Sequence, residues 1–251
     1  MDRQRISTPA SFLLIPCLVL CLTGACRPAP ADAPAPRQAA APAVVAPSRL
    51  PAPAADRQPA GARVVFLGDS LTAGLGLEEV EAYPALVARW LAVAGTPIQA
   101  VNAGVSGDTT AGGLARLDWL LGQHPDVVVV GLGANDGLRG LPLDATERNL
   151  RAIVRRCRAA GARVLLLGMQ IPPNYGPDYT GGFRAMYPRI AGDLDVPLVP
   201  FLLAGVGGVR DLNQADGIHP TAAGQEKVAD NVTPYLEKLL ARQGAAAQGG
   251  R

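Results

Sequence analysis

The chain has 251 residues and a formal net charge of +2 at pH 7, with 23 Lys and Arg residues against 21 Asp and Glu residues. This near-neutral balance, without a basic stripe in any segment, argues against a nucleic-acid-binding protein. The four cysteines lack the spacing of a zinc site, and only Cys157 falls in the predicted domain, where it is expected to be a small core residue. We therefore expect no metal, no other cofactor and no disulfide within the domain.

The first 26 residues predict a signal peptide. Two arginines near the N-terminus precede a short apolar run over residues 12–22, and small residues then lead to Cys26. The sequence before Cys26 is similar to the bacterial lipobox, in which a peptidase cuts before the cysteine and its thiol is lipidated. An ordinary cut within residues 31–33 is the alternative. Lipidation of Cys26 would give an exported, periplasmic protein anchored to the bacterial outer membrane.

A linker and a tail flank one predicted domain. Residues 27–61 are almost entirely Ala and Pro with a few Arg and Gln, which predicts a disordered linker because such a segment cannot bury a core. The Gly-, Ala- and Gln-rich residues 242–251 predict a disordered tail. Residues 62–241 have the length of a single domain, which we expect to be a monomer.

Strands and helices are predicted to alternate through this domain. Residues 127–130 are four consecutive valines, a run typical of a strand buried on both faces. Asp144 is the expected N-cap of one helix and Gly161 its expected stop. The alternation predicts an α/β fold, a three-layer α/β/α sandwich with a parallel five-stranded sheet. The predicted strands are 63–67, 98–102, 126–131, 164–168 and 197–199, and the predicted helices are 80–94, 108–121, 144–160, 182–194 and 221–240.

Three polar, Gly-rich segments follow the first three predicted strands. They contain Asp69 and Ser70, residues 102–107, and residues 133–136. In a parallel sheet these segments share the carboxyl edge, where binding sites lie, and glycine lets the backbone approach a ligand closely. Ser70 is therefore a candidate nucleophile, but a serine hydroxyl needs a neighbouring base to take its proton.

Only two histidines are available as that base. His124 precedes the valine strand, which places it at the opposite edge as a surface loop residue. His219 precedes the last helix, at the same edge as Ser70, and is the candidate base. Asp216 lies three residues before His219, and Gly217 lets the loop between them fold tightly enough for the carboxylate to reach the imidazole Nδ1. The sequence thus predicts a Ser70–His219–Asp216 triad.

Four sequence blocks, occurring in order across residues 63–240, resemble the SGNH or GDSL hydrolase family. Within the family, stretches such as SGDTT, NDGLRG and DVPLVPF resemble bacterial multifunctional esterases described as acyl thioesterase I, arylesterase and lysophospholipase. The resemblance implies a flavodoxin-like fold and a serine nucleophile at Ser70. The four blocks are Gly-Asp-Ser-Leu at 68–71, Asn-Ala-Gly-Val-Ser-Gly-Asp-Thr at 102–109, Gly-Leu-Gly-Ala-Asn-Asp-Gly-Leu-Arg-Gly at 131–140 and Asp-Gly-Ile-His-Pro at 216–220.

The resemblance also implies roles for residues around Ser70. The oxyanion hole would consist of the Ser70 N–H, the Gly107 N–H and the Asn135 side chain. Leu138, Ile171 and Pro172 would border an acyl pocket. Structural roles are expected for three nearby carboxylates. Asp69 is expected to cap the turn after Ser70. Asp108 and Asp136 are expected to brace their loops rather than bind a metal.

The predicted function is that of a serine esterase working through an acyl-enzyme without a cofactor. Aryl and short-to-medium acyl esters are the expected substrates, with thioesters and lysophospholipids as further candidates. Two other activities of the same fold remain open, a carbohydrate O-deacetylase and an acyltransferase. The alternative that is not an enzyme is a binding module that retains the fold but has lost catalytic activity.

Overall fold

The computed structural model describes residues 61–248, with side chains up to residue 241. The predictions for residues 1–60, including the lipidation of Cys26, lie outside this range. Among residues 61–248, no helix combines the length and the apolar character needed to span a bilayer.

The centre of the fold is a five-stranded sheet with the order β2-β1-β3-β4-β5, in which every neighbouring pair is parallel. In this order β1 lies between β2 and β3, so the chain reverses its direction of winding beside β1, where α/β proteins place their ligands. Gly68 of β1 pairs with Gly104 of β2 and with Gly131 of β3, so these three strands end level with one another. The strands are β1 Ala62–Gly68, β2 Ile98–Gly104, β3 Val127–Gly131, β4 Arg163–Leu167 and β5 Leu198–Val199.

Helices cover the sheet, as the alternating pattern predicts. α2 packs against α8, while α6 packs against α3 and α7. The four valines of β3 are fully buried, and Cys157 of α6 is a buried free thiol whose pKa is raised to about 12 by burial, as expected of a core residue. The helices are α1 Ser70–Ala73, α2 Tyr83–Val93, α3 Thr110–Ala115, α4 Leu117–Leu121, α5 Ala134–Leu138, α6 Leu143–Ala159, α7 Pro177–Leu194 and α8 Ala222–Gln248.

The predicted start of α6 is wrong by one residue. Asp144 is not the N-cap: the helix begins at Leu143 after Pro142, and the Asp144 side chain forms an ion pair with Arg148. The ring of Pro142 fixes its φ at −57° and leaves the helix free to begin at the next residue. The predicted stop is confirmed, because Gly161 follows the helix with a φ of +86°.

Other helices differ from the sequence pattern at their ends. The predicted helix 108–121 is two helices that meet at Arg116, and helix 80–94 begins only at Tyr83, where Pro84 occupies the first turn. α7 begins five residues early, at Pro177. α8 continues to Gln248, into the predicted tail, because alanine and glutamine favour a helix.

Candidate active site

Ser70 lies at the tip of a sharp turn between β1 and α1. β1 ends at Gly68, and Ser70 is already the first residue of the helix. Asp69 joins the two elements as the N-cap, and its Oδ1 accepts a hydrogen bond from the Leu71 N–H at 3.0 Å. The expectation that Asp69 caps this turn is confirmed. The turn thus fixes the Ser70 backbone at the carboxyl edge of the sheet.

The structure brings His219 and Asp216 to Ser70. His219 Nε2 lies 2.9 Å from Ser70 Oγ, and His219 Nδ1 lies 2.6 Å from Asp216 Oδ2. The other carboxylate oxygen of Asp216 accepts the Ile218 N–H at 2.9 Å and the His219 N–H at 3.1 Å. An imidazole held in this way presents Nε2 as an acceptor for the serine proton, which is the arrangement that activates a serine hydroxyl.

His124 lies where the sequence places it, away from this site. It is an exposed residue of the loop that enters the amino end of β3, with a φ of +52°. Ser70 follows the carboxyl end of β1, and the two strands are parallel neighbours. The two histidines therefore lie at opposite edges of the sheet.

Potential oxyanion donors lie directly after β1, β2 and β3: Ser70 begins α1, Gly107 lies in a loop and Asn135 lies in α5. Within the part of the chain that the structure describes, neither the Ser70 N–H nor the Gly107 N–H donates to a protein acceptor. Gly107 has a φ of +79°, and its carbonyl accepts a hydrogen bond from Arg139 Nη2 at 2.8 Å. Asn135 Nδ2 donates to the Asp108 carbonyl at 2.9 Å and, over a longer 3.4 Å, to Asp69 Oδ2.

Two carboxyl groups near Ser70 have opposite electrostatic environments. The hydrogen bond from His219, together with the two backbone N–H groups, lowers the pKa of Asp216 to about 2. Burial raises the pKa of Asp69 to about 6, although the Leu71 N–H and the nearby His219 act in the other direction. Asp216 is therefore ionised throughout the neutral range, whereas Asp69 changes its protonation state just below neutrality.

Asp108 and Asp136 brace their loops, as expected. Asp136 accepts hydrogen bonds from the Thr110 N–H at 2.8 Å and the Thr110 hydroxyl at 2.6 Å, which joins the loop after β3 to α3. Asp108 Oδ2 accepts a hydrogen bond from Arg116 Nε at 2.8 Å. Across residues 61–248, no group of three or more His, Cys, Asp or Glu residues could hold a metal ion.

The residues predicted to border an acyl pocket lie at the end of α5 or follow β4. Leu138 ends this helix, and its carbonyl accepts a hydrogen bond from the Tyr175 hydroxyl at 2.7 Å. Ile171 packs so closely on α5 that a Cβ at Gly137 would lie 2.7 Å from its Cγ2 atom. Pro172, the next residue, is exposed. This segment covers the helix that carries Asn135.

Residues 66–227 match the family described as GDSL-like lipase/acylhydrolase. The chain belongs to this family. Esterase TesA of Pseudomonas aeruginosa is 48% identical over 185 residues, which cover 73% of this chain and 92% of that protein. The thioesterase 1/protease 1/lysophospholipase L1 of Escherichia coli K12 is 42% identical over 186 residues, covering 73% and 88% of the two chains. The crystal structure of the psychrotrophic esterase EstA from Pseudoalteromonas sp. matches with a TM-score of 0.68 and 37% identity, covering 72% of this chain and 99% of EstA.

The family match confirms the predicted SGNH or GDSL family, and the similarity to EstA confirms the predicted α/β sandwich. It also confirms that the chain is an ester hydrolase, because its relatives are named as esterases, thioesterases and lysophospholipases. The catalytic roles of individual residues stay predictions at this point.

Sequence reasoning missed two polar side chains of this GDSL site. Gln214 Nε2 donates to the carbonyls of Leu75 at 2.7 Å and Pro220 at 3.0 Å, so it joins the loop after α1 to the loop that carries His219. Arg116 reaches back from the α3–α4 junction to Gly68. Arg116 lies in the stretch GLARL, which resembles the bacterial esterases but carries no sign of a role, and Gln214 lies in no recognised block. Each bonds to a residue distant in the sequence, Arg116 to Gly68 and Gln214 to Leu75.

Proposed function

We propose that this GDSL esterase hydrolyses carboxylic esters through a covalent acyl-enzyme on Ser70, with His219 as the base and Asp216 as its partner. The observation that carries the proposal is the unbroken hydrogen-bonded series, with 2.9 Å between Ser70 Oγ and His219 Nε2 and 2.6 Å between His219 Nδ1 and Asp216 Oδ2. As Ser70 Oγ attacks the ester carbonyl carbon, His219 Nε2 takes the serine proton. Asp216 holds the tautomer and stabilises the imidazolium that forms.

The attack places a negative charge on the former carbonyl oxygen. The Ser70 N–H, the Gly107 N–H and Asn135 Nδ2 are the proposed donors to this oxyanion. Two of them are backbone N–H groups that have no acceptor among the described residues 61–248, and the third makes one long hydrogen bond, to Asp69, that it can exchange for the oxyanion. Each donor of this kind typically contributes about 3 kcal/mol to the stability of the transition state.

His219 then completes both halves of the reaction. It gives its proton to the leaving oxygen, the bond between that oxygen and the acyl carbon breaks, and the alcohol departs while the acyl group stays on Ser70. In the second half, His219 Nε2 takes a proton from water, the hydroxide attacks the acyl carbon, and the Ser70 oxygen leaves with the proton from His219. The product is a carboxylic acid, and the enzyme returns to its starting state.

We expect aryl and short-to-medium acyl esters as substrates, with thioesters and lysophospholipids as further candidates. The relatives named esterase TesA, thioesterase 1/protease 1/lysophospholipase L1 and arylesterase support esters, thioesters, lysophospholipids and aryl esters as substrate classes. Leu138, Ile171 and Pro172 are the proposed border of the acyl pocket, because Leu138 ends the helix that carries Asn135 and Ile171 packs against that helix.

We further propose an exported, periplasmic enzyme that acts as a monomer and is held at the outer membrane by a lipid on Cys26. The support is the basic start, the short apolar run and the small residues before Cys26 in the sequence. Such a location favours envelope esters over cytoplasmic acyl-CoA. Incorporation of a labelled fatty acid by the wild type, and its loss in a Cys26→Ser variant, is the measurement that checks the anchor.

Hydrolysis of p-nitrophenyl esters with two to sixteen acyl carbons tests the activity directly. We expect a maximum at short or medium chain length that depends on Ser70, and a loss of turnover of about 10⁴-fold or more in Ser70→Ala, whose melting temperature should stay close to that of the wild type. A Ser70→Ala variant that kept most of its turnover would show that the proposed mechanism is wrong.

The same assay separates the two other activities of this fold. Added alcohol acceptors would be converted to esters by an acyltransferase, whereas a hydrolase releases the free acid. An acetylated oligosaccharide that is cleaved faster than the aryl esters would identify a carbohydrate O-deacetylase.

A further inference from the structure

The three proposed oxyanion donors lie in the three connections that follow β1, β2 and β3, which we call the oxyanion loops, with Ser70 beginning α1 and Asn135 lying in α5. Such donors are effective only if they are held within about 0.5 Å of their productive positions. The sheet aligns the starts of the loops, because Gly68 pairs with Gly104 and with Gly131. One further bond, from the Val105 N–H to the Gly68 carbonyl at 3.0 Å, ends this regular pairing. Beyond it, side chains must hold the loops in register.

Arg116 bridges the first two of these loops. Its Nε donates to Asp108 Oδ2 at 2.8 Å, and its Nη2 donates to the Gly68 carbonyl at 3.0 Å. Gly68 lies two residues before Ser70, and Asp108 directly follows Gly107. Because the guanidinium is a rigid planar fork, these two bonds together fix the end of β1 relative to the loop after β2.

Asp108 extends the bridge to the third loop. Its backbone carbonyl accepts the hydrogen bond from Asn135 Nδ2 at 2.9 Å, while its Oδ1 accepts the Thr109 N–H at 3.0 Å. The side chain and the backbone of Asp108 are therefore fixed together. Any movement of this residue shifts both the peptide next to Gly107 and the acceptor that orients the Asn135 amide.

The packing around the ion pair supports a tight bridge. A Cβ at Gly112 would lie 1.9 Å from Asp108 Oδ1, so the absence of a side chain at Gly112 lets the carboxylate rest against the backbone of α3. The side chains of Arg116 and Asp108 are only 24% and 10% exposed. An ion pair shielded to this degree is less weakened by salt than a surface pair.

We infer that Arg116 is a positioning residue for the oxyanion hole. Acting through Gly68 and Asp108, it holds the Ser70 N–H, the Gly107 N–H and the Asn135 amide in register without touching the substrate. The inference rests on the proposed function, since it assigns Arg116 a part in stabilising the same oxyanion.

Arg116→Met and Arg116→Lys test this inference in the full chain, with p-nitrophenyl butyrate as substrate. Met keeps the packing of the side-chain stem but loses both hydrogen bonds, and Lys keeps the charge but lacks the planar fork. For Arg116→Met we expect kcat to fall by about 30- to 100-fold while KM changes less than about threefold, because oxyanion donors act mainly on the transition state. Arg116→Lys should recover part of the loss.

Arg151→Met is the matched control. Arg151 is 16% exposed and pairs with Glu147, which is 18% exposed, and with Asp193, so it belongs to a similarly shielded ion pair where α6 faces α7. We expect this variant to lower the melting temperature and to leave kcat within about twofold of the wild type. A comparable loss of kcat in both variants would attribute the Arg116 effect to general destabilisation and overturn the inference.

A double-mutant cycle with Asn135→Ala separates positioning from a purely structural role. If Arg116 acts through the oxyanion loops, Arg116→Met should cost less than about tenfold in the Asn135→Ala background, compared with 30- to 100-fold in the wild type. A trifluoromethyl ketone, which forms a tetrahedral adduct with a serine oxygen, should lose affinity by the same factor as kcat/KM. If Arg116→Met fails to fold, Arg116→Lys is used in the same cycle.

Additive effects in the cycle, or a kcat of Arg116→Met within threefold of the wild type, would overturn the inference. Ser70→Ala distinguishes this result from a failure of the proposed function. Activity in Ser70→Ala would overturn the proposed function itself. An inactive Ser70→Ala beside a fully active Arg116→Met would overturn the role of Arg116 alone.

Discussion

The two loops that meet at the Ser70–His219 hydrogen bond are held in different ways. Ser70 directly follows a buried strand, and the neighbouring residue Asp69 is only 1% exposed. The loop with His219 lies at the surface, where the Asp216 side chain is 46% exposed. Packing therefore fixes Ser70, the proposed nucleophile, whereas hydrogen bonds fix His219, the proposed base.

This difference also gives the two aspartates opposite properties. Burial raises the pKa of Asp69 to about 6, while hydrogen bonds from His219 and the backbone lower the pKa of Asp216 to about 2. Asp216, whose carboxylate must stay charged in the proposed triad, is partly exposed to solvent. A carboxyl group that caps a turn in the core sits where its charge is costly. The surroundings of each aspartate therefore set its pKa and its charge near neutral pH.

Asp216→Asn removes the carboxylate from the exposed loop, and we expect it to have the largest effect of the variants considered. The Asn oxygen can still accept the Ile218 and His219 N–H groups, but the amide nitrogen then faces His219 Nδ1. Nδ1 must act as an acceptor, so Nε2 carries the proton and cannot take one from Ser70. We expect kcat on p-nitrophenyl butyrate to fall by about 10³- to 10⁴-fold.

Circular dichroism and the melting temperature of Asp216→Asn provide the control, since the variant keeps the loop hydrogen bonds and should stay folded. With a pKa of about 2, Asp216 is ionised in the wild type from pH 4 to pH 8, so its own titration does not affect the comparison within this range. A variant within tenfold of the wild-type kcat would rule out the proposed role of Asp216.

Asp69→Asn tests the buried side through the pH dependence of stability. The pKa of Asp69 rises from an ordinary value of 3.8 to about 6 on folding, so between these values the folded chain binds more protons than the unfolded chain. The free energy of unfolding contributed by Asp69 therefore falls as pH rises from about 4 to 6 and is constant above that. The change is at most about 3 kcal/mol, and Asn at this position removes it.

Urea unfolding of the wild type and of Asp69→Asn at pH 4 and pH 7 measures this effect. The free energy of unfolding of the wild type should fall relative to that of Asp69→Asn between the two pH values. Asp216→Asn is the control, because Asp216 makes an almost constant contribution to the free energy of unfolding between pH 4 and pH 7. The lowered pKa of Asp216 adds stability that is complete above about pH 4 and is lost as pH falls towards 2. An Asp69→Asn difference that is the same at pH 4 and pH 7 would contradict the burial argument.

The sequence predicts which connections meet at the carboxyl edge of the sheet better than it predicts the side-chain contacts that hold them there. Strand order and the sheet-edge rule were enough to bring Ser70 and His219 together, although they are 149 residues apart. The break at Arg116 was not predictable, because residues 108–121 keep helical spacing and the Arg116 side chain bonds to Gly68, 48 residues away. The start of α6 was missed by one residue because the fixed φ of Pro142, rather than a capping side chain at Asp144, sets it.

Gln214→Met is expected to have the smallest effect on kcat, and it tests whether hydrogen bonds hold the His219 loop. Its side-chain amide bridges the carbonyls of Leu75 and Pro220, which links the two loops across the active site. Met has a similar length but donates no hydrogen bond. We expect kcat to fall by about three- to tenfold and the free energy of unfolding by about 1–2 kcal/mol.

Asn231→Leu is the matched control for Gln214→Met. Asn231 Nδ2 also bridges two carbonyls, those of Leu202 at 3.0 Å and Ala204 at 2.8 Å, but it does so from α8 rather than between the active-site loops. Its loss should lower the free energy of unfolding by a similar 1–2 kcal/mol while kcat stays within about twofold of the wild type. If both variants lost kcat equally, the bridge of Gln214 would matter only for stability. If Gln214→Met alone loses kcat, the exposed loop depends on this bridge to keep His219 within reach of Ser70.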